Sequence, residues 1–346
     1  MIGVSSKDTK DCSYPVRVEE IISCHTLSLV HMQLLSMRTY KTIVRCLEFS
    51  QLKEFKLVVG FRFQVPELLE KTSLAIDMRN AAENVSEAEI TELIPTNVTE
   101  LVIHNSLDMI ERLSLHLLNA MCLKTCDIRR CSKITCILES EENNFPLLER
   151  MNISNLPKLR MICGEVVKPG TLMNLKSINV DGCSSLKCLF SMHLIFQLKS
   201  LEEITIFRCH AMEEIIEGER NTNGEDSSHA DATEVILPKL QRLKLILLPN
   251  LRSIYKGNIQ CDSLRSIKIY DCISLNKLPL GLFGIEKVQH VSPSTTFEQI
   301  TCQKQWWESL QWDQPQAKHL LQPYFVDHHR RAYSLRAAVV QREASI

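Results

Sequence analysis

The sequence predicts a solenoid of stacked α/β repeats, and two observations lead to that fold class. The first is a recurring apolar pattern, in which residues 175–189 and residues 201–215 place leucine, isoleucine, valine, methionine and cysteine at the same offsets. The second is the period, because the pattern restarts every 24–27 residues along most of the chain, with one interval of 39. The repeats start at Val98, Leu123, Leu148, Leu175, Leu201, Leu240 and Leu264. A period of about 20–29 residues is typical of leucine-rich repeats.

Each repeat is expected to contain one short β-strand. The shared pattern, L-x-x-L-x-L-x-x-[C/L]-x-x-L, alternates apolar and variable residues, so the apolar residues point inward from a strand and the variable ones point outward. The expected inward residues are Ile178, Val180, Ile204, Ile206, Leu243, Leu245, Ile267 and Ile269. A single repeat cannot bury its own apolar face, so the repeats stack into one core. We therefore expect a leucine-rich-repeat horseshoe, with short parallel strands on the concave face and irregular or short helical segments on the convex face.

The ninth position of the pattern turns the chain inward and suits a small buried side chain. Cysteine occupies it in four repeats, at Cys131, Cys183, Cys209 and Cys272. Leu156 and Leu248 occupy it in two others, each followed by a proline that reshapes the turn. The cysteines are therefore interpreted as packing residues.

One group of cysteines has a spacing that resembles a metal site. It consists of Cys122, Cys126, Cys131 and Cys136. Structural zinc sites usually combine a pair two to four residues apart with a distant second pair, and this group does not follow that arrangement. We expect no metal site and no cofactor.

The extent of the repeats divides the chain into four segments. Residues 46–280 are expected to form the solenoid, degenerate before about residue 120 and interrupted by a polar loop insertion at 217–234. Residues 1–45 show no clear period and could hold an amphipathic helix or a further degenerate repeat. Residues 281–325 contain "QKQWWESLQW" and are expected to close the last repeat, since a solenoid needs a terminal cap. Residues 326–346 are predicted to be a disordered tail.

Composition argues against several kinds of partner. The formal net charge is −1, so there is no chain-wide basic field for nucleic acid. No apolar run approaches the roughly 18 residues that span a bilayer, and the N-terminus lacks the apolar core of a signal peptide. Fourteen cysteines in 346 residues are too few for a disulfide-stapled scaffold. We expect a cytoplasmic protein, with peripheral association at the plasma membrane only through its partners.

The sequence contains no recognisable catalytic constellation. There is no G-x-S-x-G motif, and no family signature surrounds the cysteines and histidines. The carboxylate pairs Glu202–Glu203 and Glu213–Glu214 are expected at outward, solvated positions. We therefore expect no enzymatic activity.

Four stretches resemble the C-terminal leucine-rich-repeat region of plant coiled-coil nucleotide-binding leucine-rich-repeat (NLR) disease resistance proteins. They are "LKSINVDGCSSLKCLF", "LEEITIFRCHAMEEII", "LPKLQRLKLILLPNLRSIY" and "LRSIKIYDCISLNKLPL". The stretch "WWESLQWDQPQAKHLLQPYF" is similar to the segment that closes the repeats in that family. The resemblance covers roughly residues 45–325. It implies a recognition or regulatory role in plant defence, exercised by contact with other proteins.

The resemblance also indicates partners. They are a pathogen effector, a guarded host protein or the nucleotide-binding domain of a receptor. Family members carry a nucleotide switch before the repeats, but the motif G-x-x-x-x-G-K-[ST] does not occur here, so no nucleotide-binding residue can be carried over. The chain could be a fragment of a larger receptor or a separate protein that works with a partner.

Two other classes of function were considered. A substrate-recognition leucine-rich-repeat arm of a ubiquitin ligase adaptor would require an adaptor-binding helical module near the N-terminus, and residues 1–45 show no clear one. A receptor ectodomain is disfavoured by the missing signal peptide and by the absence of paired cap cysteines.

The outward strand positions define the candidate partner-binding surface, because they line the concave face of such a solenoid. These positions are polar in the early repeats and combine lysine with aromatic and aliphatic residues in the late ones. Phe207, Ile246 and Tyr270 are expected to lie side by side on adjacent strands as one exposed patch, surrounded by basic residues as in binding hot spots. The candidate set is Phe207, Arg208, Arg242, Lys244, Ile246, Lys268 and Tyr270.

Overall fold

A computed structural model describes residues 2–3, 28–61, 65–80, 92–105, 120–138, 144–164, 167–218, 233–283, 296–312 and 314–327. Within these ranges the chain forms mainly short strands. They are β1 (Ile2–Gly3), β2 (Leu29–Leu34), β3 (Glu54–Val59), β4 (Thr72–Asp77), β5 (Glu100–His104), β6 (Thr125–Arg129), β7 (Cys136–Leu138), β8 (Arg150–Ser154), β9 (Met161–Cys163), β10 (Ser177–Asp181), β11 (Cys188–Phe190), β12 (Glu203–Phe207), β13 (Glu214–Ile216), β14 (Val235–Ile236), β15 (Arg242–Ile246), β16 (Ile259–Gln260), β17 (Ser266–Tyr270), β18 (Gln299–Cys302) and β19 (Phe325–Asp327).

One large sheet runs through the whole described chain. It holds thirteen strands in the order β1-β2-β3-β4-β5-β6-β8-β10-β12-β15-β17-β18-β19. The pairs from β2 to β19 are parallel, and only β1 pairs antiparallel with its neighbour. Three two-stranded parallel sheets, β7–β9, β11–β13 and β14–β16, lie in the connections between the main strands. This arrangement confirms the leucine-rich-repeat solenoid.

The strand register confirms the predicted inward ladder. Ile206 pairs with Val180 on one side and with Leu245 on the other, so equivalent residues of successive repeats lie next to each other. All eight predicted inward residues are at most 2% exposed. They belong to one continuous apolar cluster that extends from Val30 to Leu321. The core is therefore shared by all repeats, and no repeat is independent of its neighbours.

The turn after each strand uses a left-handed backbone conformation at the eighth position of the pattern. Seven repeats show it, with φ between 49° and 66°, at Asn105, Arg130, Asn155, Gly182, Arg208, Leu247 and Asp271. In all but the last, the residue's N–H donates to the final carbonyl of the next strand, for example from Arg208 to Ile246 O at 3.0 Å. The N–H of Asp271 donates instead to the side chain of Gln303, at 3.3 Å. Because the conformation recurs throughout, it belongs to the fold and is not specific to one site.

The ninth-position cysteines are buried immediately after these turns. Cys131, Cys183, Cys209 and Cys272 are at most 1% exposed. Each thiol donates to the carbonyl oxygen two residues earlier, as in Cys272 Sγ to Tyr270 O at 3.3 Å. A small side chain with a weak donor therefore fills the space and also pairs a carbonyl at the end of the strand.

The N-terminal region adds a strand and a helix to the solenoid. Strand β2 pairs with β3 over six residues, and helix α1 (Met37–Cys46) follows it directly. Ser36 caps the helix by accepting from the N–H of Arg38, and Tyr40 is fully buried with its hydroxyl donating to Leu93 O at 2.5 Å. Residues 4–27 lie outside the described ranges.

Two short helices and two strands follow the last repeat. Helices α3 (Lys304–Ser309) and α4 (Pro315–Leu321) lie between β18 and β19, and the shorter α2 (Met192–Ile195) lies within an earlier repeat. Trp307 is fully buried, stacks on Phe325 at 5.1 Å between ring centroids and meets Trp312 edge-on at 5.2 Å. Residues 284–295 and most of the insertion, residues 219–232, lie outside the described ranges. The tail predicted to be disordered spans residues 326–346, but Val326 and Asp327 belong to β19, and residues 328–346 lie outside the described ranges. None of the described helices is long and apolar enough to cross a membrane.

Candidate partner-binding surface on the concave face

The register places the candidate residues in three rows across the concave face. One row runs from Phe207 through Ile246 to Tyr270, on β12, β15 and β17. The next runs through Lys244 and Lys268, which are direct neighbours. The third contains Arg242, opposite Glu203. The structure therefore brings together the residues that the outward positions of the repeats suggested.

The apolar row is less exposed than its outward position suggests. Ile246 is 7% exposed and Tyr270 is 5% exposed, whereas Phe207 is half-buried. Neighbouring parallel strands lie about 4.8 Å apart, so large side chains at matching positions cover one another. The row forms an apolar floor with one accessible ring, that of Phe207.

Arg208 lies over the accessible ring. Its guanidinium carbon is 4.7 Å from the centroid of Phe207, within the range of a cation–π contact. The same guanidinium donates to both carboxylate oxygens of Asp181, at 2.9 and 2.7 Å. A bidentate pair of this kind fixes the orientation of the group, so Arg208 is held against one face of the Phe207 ring with its charge already balanced.

Two basic residues of the surface, Arg242 and Lys244, share a single carboxylate. Glu203 accepts from Arg242 Nε at 2.9 Å and from Lys244 Nζ at 2.5 Å. Burial acts to raise the pKa of Glu203, but the hydrogen bonds from Lys244 and Arg242 outweigh it and hold the pKa below its usual value. The side-chain ammonium of Lys268 has no ion pair or hydrogen bond within the described part of the chain. Three cationic side chains, Arg242, Lys244 and Lys268, are therefore clustered around one carboxylate, that of Glu203.

On β8 and β10, just before this surface, the middle row of the concave face is polar and uncharged. Asn152 on β8 and Asn179 on β10 are direct neighbours, and Asn179 is exposed. Neither side-chain amide forms a hydrogen bond with the rest of the described chain. They provide donors and acceptors next to the apolar floor.

A second apolar cluster lies on the concave side of β3–β5, which the sequence analysis did not anticipate. It contains Val58, Phe61, Ala75 and Val102, with Leu68 packed against it. Val58, Ala75 and Val102 occupy matching outward positions on three successive strands. Three outward apolar residues in a row are the sequence signal that could have revealed a covering element.

That covering element is residues 65–70, here called the strap, which connects β3 to β4. The N–H groups of Leu69 and Glu70 donate to Glu100 Oε2 at 2.8 and 3.0 Å, and Ser73 Oγ donates to the same oxygen at 2.8 Å. Glu70 also pairs with Arg150 on β8, at 2.5 Å. The chain thus covers its own concave face over β3–β5, and the described residues leave the face open from β8 to β17, since the outward residues Thr125 and Asp127 on β6 and Thr301 on β18 are buried.

Replacing Glu100 with alanine is expected to release the strap. The carboxylate is 3% exposed, and its loss leaves buried donors without partners, at about 1–3 kcal/mol for each group. Because Glu67 and Glu70 lie in the strap, limited proteolysis with a glutamate-specific protease measures its release. We expect faster cleavage there, and a lower urea midpoint.

The matched control for Glu100 is Glu213→Ala. Glu213 is 40% exposed and makes one surface ion pair, at 3.5 Å to Lys187. Its removal should change neither cleavage nor the urea midpoint appreciably, because exposed pairs contribute little. Equal cleavage of the strap in both variants would contradict the role assigned to Glu100.

The cysteines do not gather into a metal-like group in the described chain. Cys126, Cys131 and Cys136 are buried, whereas Cys122 is exposed. No three His, Cys, Asp or Glu side chains are grouped as metal ligands within the described ranges. Burial raises the pKa of Cys272 to about 12, so it stays a protonated thiol at neutral pH, whereas a nucleophile or ligand is a thiolate.

The parallel sheet, the repeat period and the inward ladder define a leucine-rich-repeat protein with an open concave surface. A family model described as plant disease resistance protein RPS2-like, leucine-rich repeats, matches residues 69–210 and 174–279. These matches cover more than half of the chain, which therefore belongs to this family of leucine-rich-repeat regions. The resemblance to the repeat region of plant NLR disease resistance proteins is confirmed.

Relatives of the chain carry matching names. Disease resistance protein At4g27190 of Arabidopsis thaliana is 25% identical over 329 residues, covering 86% of this chain and 29% of the relative. Probable disease resistance protein At4g27220 of the same plant is 34% identical over 144 residues, which cover 41% of this chain and 15% of the relative. Putative disease resistance protein At5g05400, also from Arabidopsis thaliana, is 25% identical over 190 residues, which cover 54% of this chain and 20% of the relative. The chain spans less than a third of the length of each relative.

Proposed function

We propose that this chain is the recognition and regulatory region of an intracellular plant immune receptor, and that it acts in defence by contact with other proteins. The observation that carries the proposal is the concave surface from β8 to β17, which the described residues leave open, in a member of the disease resistance family. Concave faces of solenoids are extended binding surfaces, and the strap leaves this part accessible. The partner would be a pathogen effector, a guarded host protein or the nucleotide-binding domain of a receptor.

The proposed mechanism is binding without catalysis. The sequence contains no P-loop motif, so a nucleotide-dependent step would be carried out by another segment or by a partner. We place the activity in the cytoplasm, where such receptors meet effectors.

The ubiquitin-ligase alternative lacks a specific supporting observation. It requires an adaptor-binding helical module near the N-terminus. The helix described there, α1, buries Met37, Tyr40 and Ile43 against the repeats and does not offer that apolar face to an adaptor.

Proximity labelling in leaf tissue tests the proposed function. The chain is fused to a biotin-ligating enzyme and compared with Phe207→Arg, which changes the accessible ring of the concave surface. We expect the variant to lose labelled defence proteins of the three partner classes, because a second guanidinium beside Arg208 blocks the apolar floor.

The matched control is Ile273→Arg, which makes the same chemical change at a residue that is 78% exposed and lies beyond β17. Its labelled proteins should equal those of the unchanged chain. If both variants retain the same labelled proteins at equal abundance, the concave surface is not the recognition surface.

A further inference from the structure

We infer that the concave surface takes an extended, acidic peptide segment of the partner protein, with one apolar side chain on the Phe207–Ile246–Tyr270 row and one carboxylate on Lys268. This inference rests on the proposed function and names the chemistry of the partner. It follows from three features of the described chain: unbalanced positive charge, an apolar floor beside that charge, and unpaired side-chain amides in the same row as the two lysines.

The positive charge of the concave surface determines the sign of the charge on the partner. Glu203 is the only carboxylate that pairs with Arg242 and Lys244 in the described chain, and Lys268 beside them has no pair at all. Arg208 is balanced by Asp181 and leaves no surplus. The cluster of Arg242, Lys244 and Lys268 therefore carries a surplus of two positive charges, and an incoming carboxylate finds a partner at Lys268 and the neighbouring Lys244.

The apolar row determines what accompanies the carboxylate. Phe207 and Ile246 are paired on the neighbouring strands β12 and β15. Lys268 lies on the next strand, β17, two residues before Tyr270, the residue that pairs with Ile246. The diagonal from Ile246 to Lys268 is about 7–8 Å, from the spacing of neighbouring strands. Residues i and i+2 of an extended chain are about 6.6 Å apart. An apolar residue followed two positions later by an acidic one matches this diagonal.

The unpaired amide side chains of the concave face indicate that the bound segment of the partner is a peptide. Asn179 lies in the same row as Lys244 and Lys268, two strands before Lys244. Amide side chains pair with the donors and acceptors of an extended backbone. A nucleic acid partner would need many phosphate contacts, but the surface offers only two surplus charges.

Fluorescence anisotropy with the full chain tests this inference. The probe is a labelled pool of short peptides with leucine and aspartate fixed two positions apart and serine, threonine or asparagine elsewhere. The control pool has asparagine in place of the aspartate. We expect the acidic pool to bind at least about tenfold more tightly than the control pool at low salt, and the difference to shrink at high salt.

Two charge-reversed variants locate the site. Lys244→Glu with Lys268→Glu should abolish the preference for the acidic pool. Lys187→Glu with Lys256→Glu makes the same charge change at lysines that are 73% and 70% exposed outside the concave face, and should keep the preference. Thermal unfolding of both variants checks that each is folded.

A third variant gives a gain of binding. Glu203→Gln removes the one carboxylate among the three cations, so it should bind the acidic pool about threefold more tightly, since a repelling charge is removed. A merely structural role of the charged cluster would not produce tighter binding.

Several outcomes would overturn the inference. It is wrong if the two peptide pools bind equally tightly, or if the variant with Lys244→Glu and Lys268→Glu still prefers the acidic pool. It is also wrong if a single-stranded oligonucleotide binds as tightly as the acidic pool. If these occur while Phe207→Arg still loses its partners in leaf tissue, the acidic-peptide chemistry is wrong and the proposed function stands. If Phe207→Arg also keeps its partners, both are wrong.

Discussion

Replacing Ile206 with aspartate is expected to unfold the repeats around β12 together. Ile206 is fully buried and packs between Val180 and Leu245 in the ladder of successive repeats. The change removes about 1.5–3 kcal/mol of apolar burial. It also places a carboxylate where no partner is available, which costs several kcal/mol more. Because domains are stable by only about 5–15 kcal/mol, this one substitution removes much of the total.

Thermal unfolding followed by far-ultraviolet circular dichroism measures the effect of Ile206→Asp. The control is Thr205→Asp, which introduces the same side chain at the adjacent position on the opposite face of β12. Thr205 is half-buried and faces the concave side, so its replacement should lower the melting temperature far less. If the two variants melt at the same temperature as the unchanged chain, the assignment of inward and outward faces is wrong.

Replacing Trp307 with alanine is expected to loosen the C-terminal end of the solenoid. Its indole is fully buried between Trp312 and Phe325, and its Nε1 donates to Gln322 Oε1 at 3.1 Å. Emptying a site of this size costs about 3–5 kcal/mol. Since each repeat contacts only its neighbours, the loss should be greatest at β17–β19 and small at β6–β10.

Hydrogen exchange of backbone amides distinguishes this local effect from global unfolding. Protection should fall in β18 and β19 of Trp307→Ala while the early repeats keep theirs. Trp307→Phe retains most of the buried volume and should lose clearly less protection. Equal loss of protection in all repeats would contradict the local closing role of this segment.

The sequence by itself determined the solenoid and the inward ladder. Side chains alternate between the two faces of a strand, so a repeating apolar pattern specifies which residues point inward wherever the strands stack. Ile178, Ile204, Leu243 and Ile267 were assigned on that basis and are buried side by side. The same local rule grouped Phe207, Ile246 and Tyr270 on the concave face.

The tertiary structure alone decided how much of that concave face is accessible. The strap covers β3–β5 through Glu100 and Arg150, and Ile246 and Tyr270 are nearly buried although they point outward. Glu70 of the strap and Arg150 are 80 residues apart in sequence and meet because the sheet places β8 three strands from β4 on the same concave face. Repeat spacing specifies the direction of a side chain. Its exposure depends on how closely side chains on neighbouring strands cover it, as at Ile246 and Tyr270, and on which distant segments pack over it, as at the strap, and a periodic pattern specifies neither.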